Sequence, residues 1–213
     1  MQASTRARDY RLLTVAALWP AILIRSGLHP YDHLTWFMET APVMLALPIM
    51  FATYRRMPLT PFLYGAIFVH GVILMAGGAY AYARVPLGFE LANWLHQTRN
   101  PDGKIGHFAQ GFVPALVARE IFLRGGYVRG PRMLGFLVIC VALAISAVYE
   151  LIEWGSAVAL GQGAEEFLGT LGDPWDTQSD RLFALLGSVT AVVTLSRWHD
   201  RAIARVAPPL SAA

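Results

Sequence analysis

Residues Met133–Trp154 read MLGFLVICVALAISAVYELIEW. No charge interrupts the run from Met133 to Val148, and two carboxylates, Glu150 and Glu153, then appear three positions apart at its end. A helix needs roughly 20 mainly apolar residues to cross the hydrocarbon core of a bilayer, and this stretch has that length. It reads as a transmembrane helix. The carboxylates at its end are expensive there unless they are paired or hydrated.

The rest of the chain agrees with that reading. Of 213 residues, 55% are hydrophobic and 15% charged, against about 25% charged in an ordinary soluble domain. The mean hydropathy is +0.45. A net charge of +3 and a pI near 9.2 raise the question of nucleic acid. No basic patch interleaved with exposed aromatics supports it, so no nucleic-acid partner is expected. The expected fold class is all-α: one domain over 1–213, a polytopic membrane helical bundle of about six transmembrane helices. The spans fall at about 11–27, 36–54, 60–82, 105–123, 133–154 and 181–198. The fourth is the least apolar, because His107, Gln110 and Arg119 lie in it. Prolines at 20, 42, 48 and 114 fall inside spans, which membrane helices tolerate by kinking. The N-terminal segment loosely resembles a signal peptide. It lacks a small-x-small cleavage site and is read as a retained first span. Cys140 is the only cysteine; no intrachain disulfide is possible, and it reads as a packing residue.

Basic residues orient the bundle. Arg6, Arg8, Arg11, Arg55, Arg56, Arg119, Arg124, Arg129, Arg132, Arg197, Arg201 and Arg205 fall on one side, twelve of seventeen. The positive-inside rule then places both termini in the cytoplasm. Eleven of the fourteen acids fall on the other side, with Asp9, Glu120 and Asp200 as the exceptions. The expected location is the bacterial cytoplasmic membrane, with the longer connections 83–104 and 155–180 outside. Longer polar connections with glycine are where sites usually form.

Three motifs on that outer side carry chemistry. In PDGKIGHF, Pro101–Phe108, Asp102 precedes an apolar run and can cap the fourth span. Lys104, His107 and Gln110 share one helical face. His107 is either a satisfied packing residue or a ligand or base, since imidazole titrates near neutrality and binds divalent metals. In YELIEW, Tyr149–Trp154, Glu150 and Glu153 point to one side. They are either matched by Arg or Lys from another span or share a cation or proton, and Trp154 reads as a headgroup-level anchor. In GTLGDPWDTQSDR, Gly169–Arg181, three aspartates fall within eight residues. Asp173 and Pro174 suit N-cap and N1 of a helix, with Asp176 at N3. Asp180 lies one turn further on the same face and has no such structural account. Arg181 could pair with an acid or grip an anionic substrate. His70, halfway along the third span near Gly71, Gly77 and Gly78, reads as a buried, hydrogen-bonded residue among close-packed helices.

Together these place His107, Glu150, Glu153, Asp176 and Asp180, with Asp173 nearby, at the outer ends of spans four to six. A histidine with several carboxylates suits a divalent metal ion. There is no HExxH, P-loop or nucleophile elbow.

The runs DGKIGHFAQGFVPALVAREIFLR, SAVYELIEW and FLGTLGDPWDTQSDRLFALLG, with the early YDHLTW and the RWHDR tail, resemble the YjdF-like family of bacterial inner-membrane proteins. One departure is Asp102-Gly103-Lys104, where the family places the acid and base side by side. The resemblance implies a multi-span inner-membrane protein and brings no reaction, substrate or cofactor with it. More distantly, Asp102, Lys104, His107, Glu150 and Asp180 ahead of Ala184–Gly187 look like the layout of the VanZ-like family. That likeness hints at cell-envelope or lipid-linked substrates by fold analogy alone.

Three functions compete. The first is a metal-dependent hydrolase or transferase acting on a phosphate-containing membrane lipid or envelope precursor at the outer face. There Glu150, Glu153, Asp173, Asp176 and Asp180 would hold a divalent metal ion, with His107 as ligand or base and Lys104 or Arg181 on the phosphate. The second is a proton- or cation-coupled transporter using the intramembrane acids and His70. The third is an accessory protein whose outer loops meet a protein partner of unknown kind.

Overall fold

The computed structural model describes residues 14, 17–160 and 175–206. Among these the chain is helical throughout its ordered elements. Residues 17–27 belong to α1. They are followed by α2 (His33–Thr53), α3 (Pro61–Tyr80), α4 (Pro86–Trp94), α5 (Asp102–Arg124), α6 (Pro131–Leu160) and α7 (Asp176–Val206).

Local chemistry sets several boundaries. Asp32 caps α2 by accepting from the Thr35 N–H at 2.7 Å, which satisfies one of the free amides of the first turn. Bonding to that amide holds the Asp32 carboxyl below its ordinary pKa. Thr60 caps α3, with Pro61 at its first position, where the missing N–H costs nothing. The chain leaves α3 through Ala81 and Tyr82, both with left-handed φ. Asp102 was expected to cap the fourth span, and it does not. Pro101 occupies the cap, Asp102 is the first helical residue, and no side-chain cap bond forms. Asn100 does the work instead: its Oδ1 accepts from the Asp102 N–H at 3.0 Å, while its amide donates to the carbonyls of Ala83 and Val85.

Four of the helices, α2, α3, α6 and α7, are long and apolar enough to cross a membrane. Their large apolar side chains point outward: Phe51 is 84% and Val193 75% exposed. In water that would be costly, but beside lipid chains it is not, because the hydrocarbon is as apolar as the side chain. Cys140, expected in the packing, is exposed. α5 runs 23 residues, about 35 Å at 1.5 Å per residue. Its polar residues, among them His107, Gln110, Arg119 and Glu120, make it less apolar than those four. It lies against α3, α6 and α7, so its polar residues face protein rather than lipid.

The tightest approach joins α5 to α7. A Cβ added at Gly111 would lie 1.8 Å from the Ala184 carbonyl oxygen, and one at Gly187 would lie 2.0 Å from that of Phe108. Each glycine is a notch for the other helix's backbone. Below these notches α3, α5, α6 and α7 share an apolar layer of Leu63, Ala115, Leu116, Val138, Ala142 and Ala191, all buried. α1 docks by a similar device: Trp19 lies over Gly71 of α3 and meets Phe68 edge-on at 6.1 Å. His70 departs from the sequence reading. Its Nε2 is buried with no hydrogen-bond partner.

Candidate metal centre between α5, α6 and α7

His107 lies in the second turn of α5, Glu150 in α6 ten residues before its C-terminal end at Leu160, and Asp180 in the second turn of α7. The Gly111–Ala184 contact sits one turn below His107 on α5 and one turn below Asp180 on α7, so it brings those two side chains together. His107 Nε2 is 3.4 Å from Asp180 Oδ2. One ligand atom from each of His107, Glu150 and Asp180 lies within 4.8 Å of the other two. This trio could coordinate a metal ion. Glu150 is 7% exposed, and its Oε1 is buried with no donor. Its carboxyl is otherwise in hydrogen-bond range of Thr177. On the far side of the imidazole, His107 Nδ1 is 2.9 Å from Gln110 Oε1.

The structure divides the remaining candidates. Glu153, one turn beyond Glu150, does not join the trio but lies within electrostatic reach of Glu39, Glu150, Asp176 and Asp180. Asp176 is half-buried in the first turn of α7, within reach of His107. Asp173 and Pro174, expected as N-cap and N1, lie outside the described residues. Arg181 is exposed, within electrostatic reach of Glu150. Lys104 is exposed too, its Nζ 5.6 Å from the centre of the Phe183 ring. Neither cation enters the trio.

Sequence reasoning passed over Glu39. It sits in α2, and Tyr149 Oη lies 3.1 Å from its Oε2 and 2.9 Å from the Met38 carbonyl. Tyr82, in the turn after α3, also hydrogen-bonds Glu39. Burial pushes the Tyr82 phenol well above its ordinary pKa, so it stays a donor. A fourth helix therefore adds a carboxylate to this end of the bundle. The only advance signal was an acid inside an apolar run, which is costly without a partner.

A second polar cluster, also missed, closes the opposite end of the α5–α7 pair. Glu120 accepts from the Thr60 N–H and hydroxyl, both at 2.9 Å, from Arg124 Nη1 at 3.1 Å and from His199 Nε2 at 3.0 Å. Arg124 also donates to the Pro58 carbonyl. Arg119 pairs with Asp200 at 2.8 Å. Arg119 and Arg124, two of the basic residues that orient the bundle in the sequence, pair with Asp200 and Glu120.

Comparison with known proteins agrees with this architecture. Residues 11–201 match the family described as "Predicted membrane protein (DUF2238)". The chain is 59% identical over 202 residues to "Inner membrane protein YjdF" of Escherichia coli (strain K12), covering 94% of this chain and 97% of that protein. No solved structure matches. An unbroken match across the helices that build the trio, at this level of identity, means that the chain belongs to this family of multi-pass inner-membrane proteins.

Proposed function

We propose that the protein is a divalent-metal-dependent enzyme at the outer face of the inner membrane, a hydrolase or transferase working on a phosphate-containing lipid or envelope precursor. The carrying observation is a buried carboxylate oxygen, Glu150 Oε1, with no donor, beside a histidine nitrogen and a second carboxylate within ligand distance. Leaving such an acceptor unsatisfied costs about 1–3 kcal/mol, and a cation removes that cost. Bound there, a divalent cation supplies Lewis acidity toward a phosphoryl oxygen and activates water. Glu150, Asp180 and His107 hold it. Glu153, outside the trio among other acids, is left free to carry a proton. Lys104 and Arg181, exposed at the same end, meet the charge of the phosphate.

Transport is the weaker reading. Leu116, Val138, Ala142 and Ala191 are buried and fill the interior between this site and Glu120. The buried hydroxyls of Ser146 and Ser188 lie on the site's side of that layer, and the layer itself is apolar.

The test is metal stoichiometry in detergent for the wild type and a Glu150→Gln, Asp180→Asn double variant, with phosphate release from membrane lipids measured alongside. The proposal expects bound metal and chelator-sensitive turnover in the wild type, both lost in the variant. Equal stoichiometry in both proteins would exclude this ligand set.

A further inference from the structure

The metal reading leaves open which imidazole nitrogen ligates, and the hydrogen bond behind the ring answers it. His107 Nδ1 lies 2.9 Å from Gln110 Oε1. An amide oxygen only accepts, so Nδ1 carries the proton, and the neutral ring then has its lone pair on Nε2. That lone pair faces Asp180 Oδ2 across 3.4 Å. The gap is longer than the usual N–H···O separation of about 2.9–3.0 Å. It is close to the spacing of two ligand atoms on a tetrahedral zinc-type ion, about 3.4 Å for bonds of about 2.1 Å. A proton on Nε2 would bridge this gap as well as a cation would, and the two cases differ in what the metal-free ring carries.

Gln110 is well placed to enforce this. It is buried, it lies three residues from His107 on the same helix face, and its neighbour Gly111 is wedged against Ala184. The amide therefore has little freedom to turn away. We infer that Gln110 is a positioning residue: it locks His107 in the Nδ1–H tautomer and so presents the Nε2 lone pair, with Glu150 and Asp180, to a zinc-type divalent cation. This rests on the metal reading for its purpose but not for its test.

Ring-nitrogen NMR of metal-free, 15N-histidine-labelled protein in detergent reads the tautomer directly, and His107→Ala assigns the signal. Wild type should show a protonated Nδ1 and a bare Nε2. Gln110→Leu should mix the tautomers and weaken zinc binding about 10–100-fold. Gln110→Glu, which still offers an acceptor to Nδ1, should keep both tautomer and affinity. A wild type carrying its proton on Nε2 overturns the inference, as does a Gln110→Leu protein with an unchanged tautomer. The wild-type spectrum decides even where the leucine variant does not fold. A bare Nε2 that shifts with Gln110→Leu, in a protein that leaves added zinc free, upholds the role of Gln110 and overturns the metal centre instead.

Discussion

At one end of the α5–α7 pair, Glu120 is fully buried and collects hydrogen bonds from Thr60, Arg124 and His199. At the other end, Glu150 is nearly as buried, yet one of its oxygens has no donor and its neighbours include Asp180 and Glu153. Both ends contain a histidine within reach of a carboxylate. They differ in the balance of donors to acceptors. The Glu120 end supplies a donor for each carboxylate contact, and the atoms it leaves without a partner, His199 Nδ1 and Arg119 Nη1, are nitrogens rather than carboxylate oxygens. The Glu150 end leaves a buried carboxylate oxygen without a donor, which a cation would satisfy. Proximity of acids and histidines therefore identifies a site less well than counting the hydrogens they can share.

That contrast can be broken by experiment. The largest effect is expected for Glu120→Ala, which strands His199, Arg124 and Thr60 in the interior. Loss of one partner of a buried ion pair costs about 3–5 kcal/mol, read as unfolding in mixed detergent micelles. Gly111→Ala comes next. Its methyl group would overlap the Ala184 carbonyl, and overpacking costs about 1–3 kcal/mol; separating α5 from α7 should also weaken metal binding, measured by titration calorimetry. Glu150→Gln should do the reverse of Glu120→Ala. Removing an unmatched charge should leave metal-free stability equal or raise it by about 1 kcal/mol while metal binding disappears. A Glu150→Gln protein as damaged as Glu120→Ala would mean that the two ends are built alike. The smallest effect is expected for Asp32→Ala, about 0.5 kcal/mol for an exposed cap. Because the Asp32 carboxyl sits below its unfolded pKa, this contribution is present at neutral pH. It fades as pH falls through the folded value, so thermal melts of wild type and variant should converge in acid.

Much of the fold was legible because span length is a strong signal. α2, α3, α6 and α7 follow the apolar runs, though α6 and α7 extend beyond them at Pro131–Leu160 and Asp176–Val206. The weak apolarity of the fourth span was itself informative, since α5 is enclosed by α3, α6 and α7. α4, nine residues long, has no length signal, and Pro86 at its start was its only mark. In the site, spacing on single helices placed His107, Gln110 and the Glu150–Glu153 face. It could not show that Glu150 turns to His107 while Glu153 lies within reach of Glu39. Glu39, and the bond from His199 to Glu120 across 79 positions, depend on tertiary approach, which local pattern does not encode. Asp102 failed as a cap because Asn100 already served the first amide of α5.

The apolar layer around Leu116 and Val138 has an electrical consequence. A membrane voltage drops across the least polarisable part of its path, and each elementary charge moved through 100 mV is worth about 2.3 kcal/mol. With that layer intact, the voltage falls below the His107 trio rather than through it. A cation held at the trio should then have the same occupancy in energised and collapsed vesicles, leaving the site indifferent to whether the cell is charged or starved.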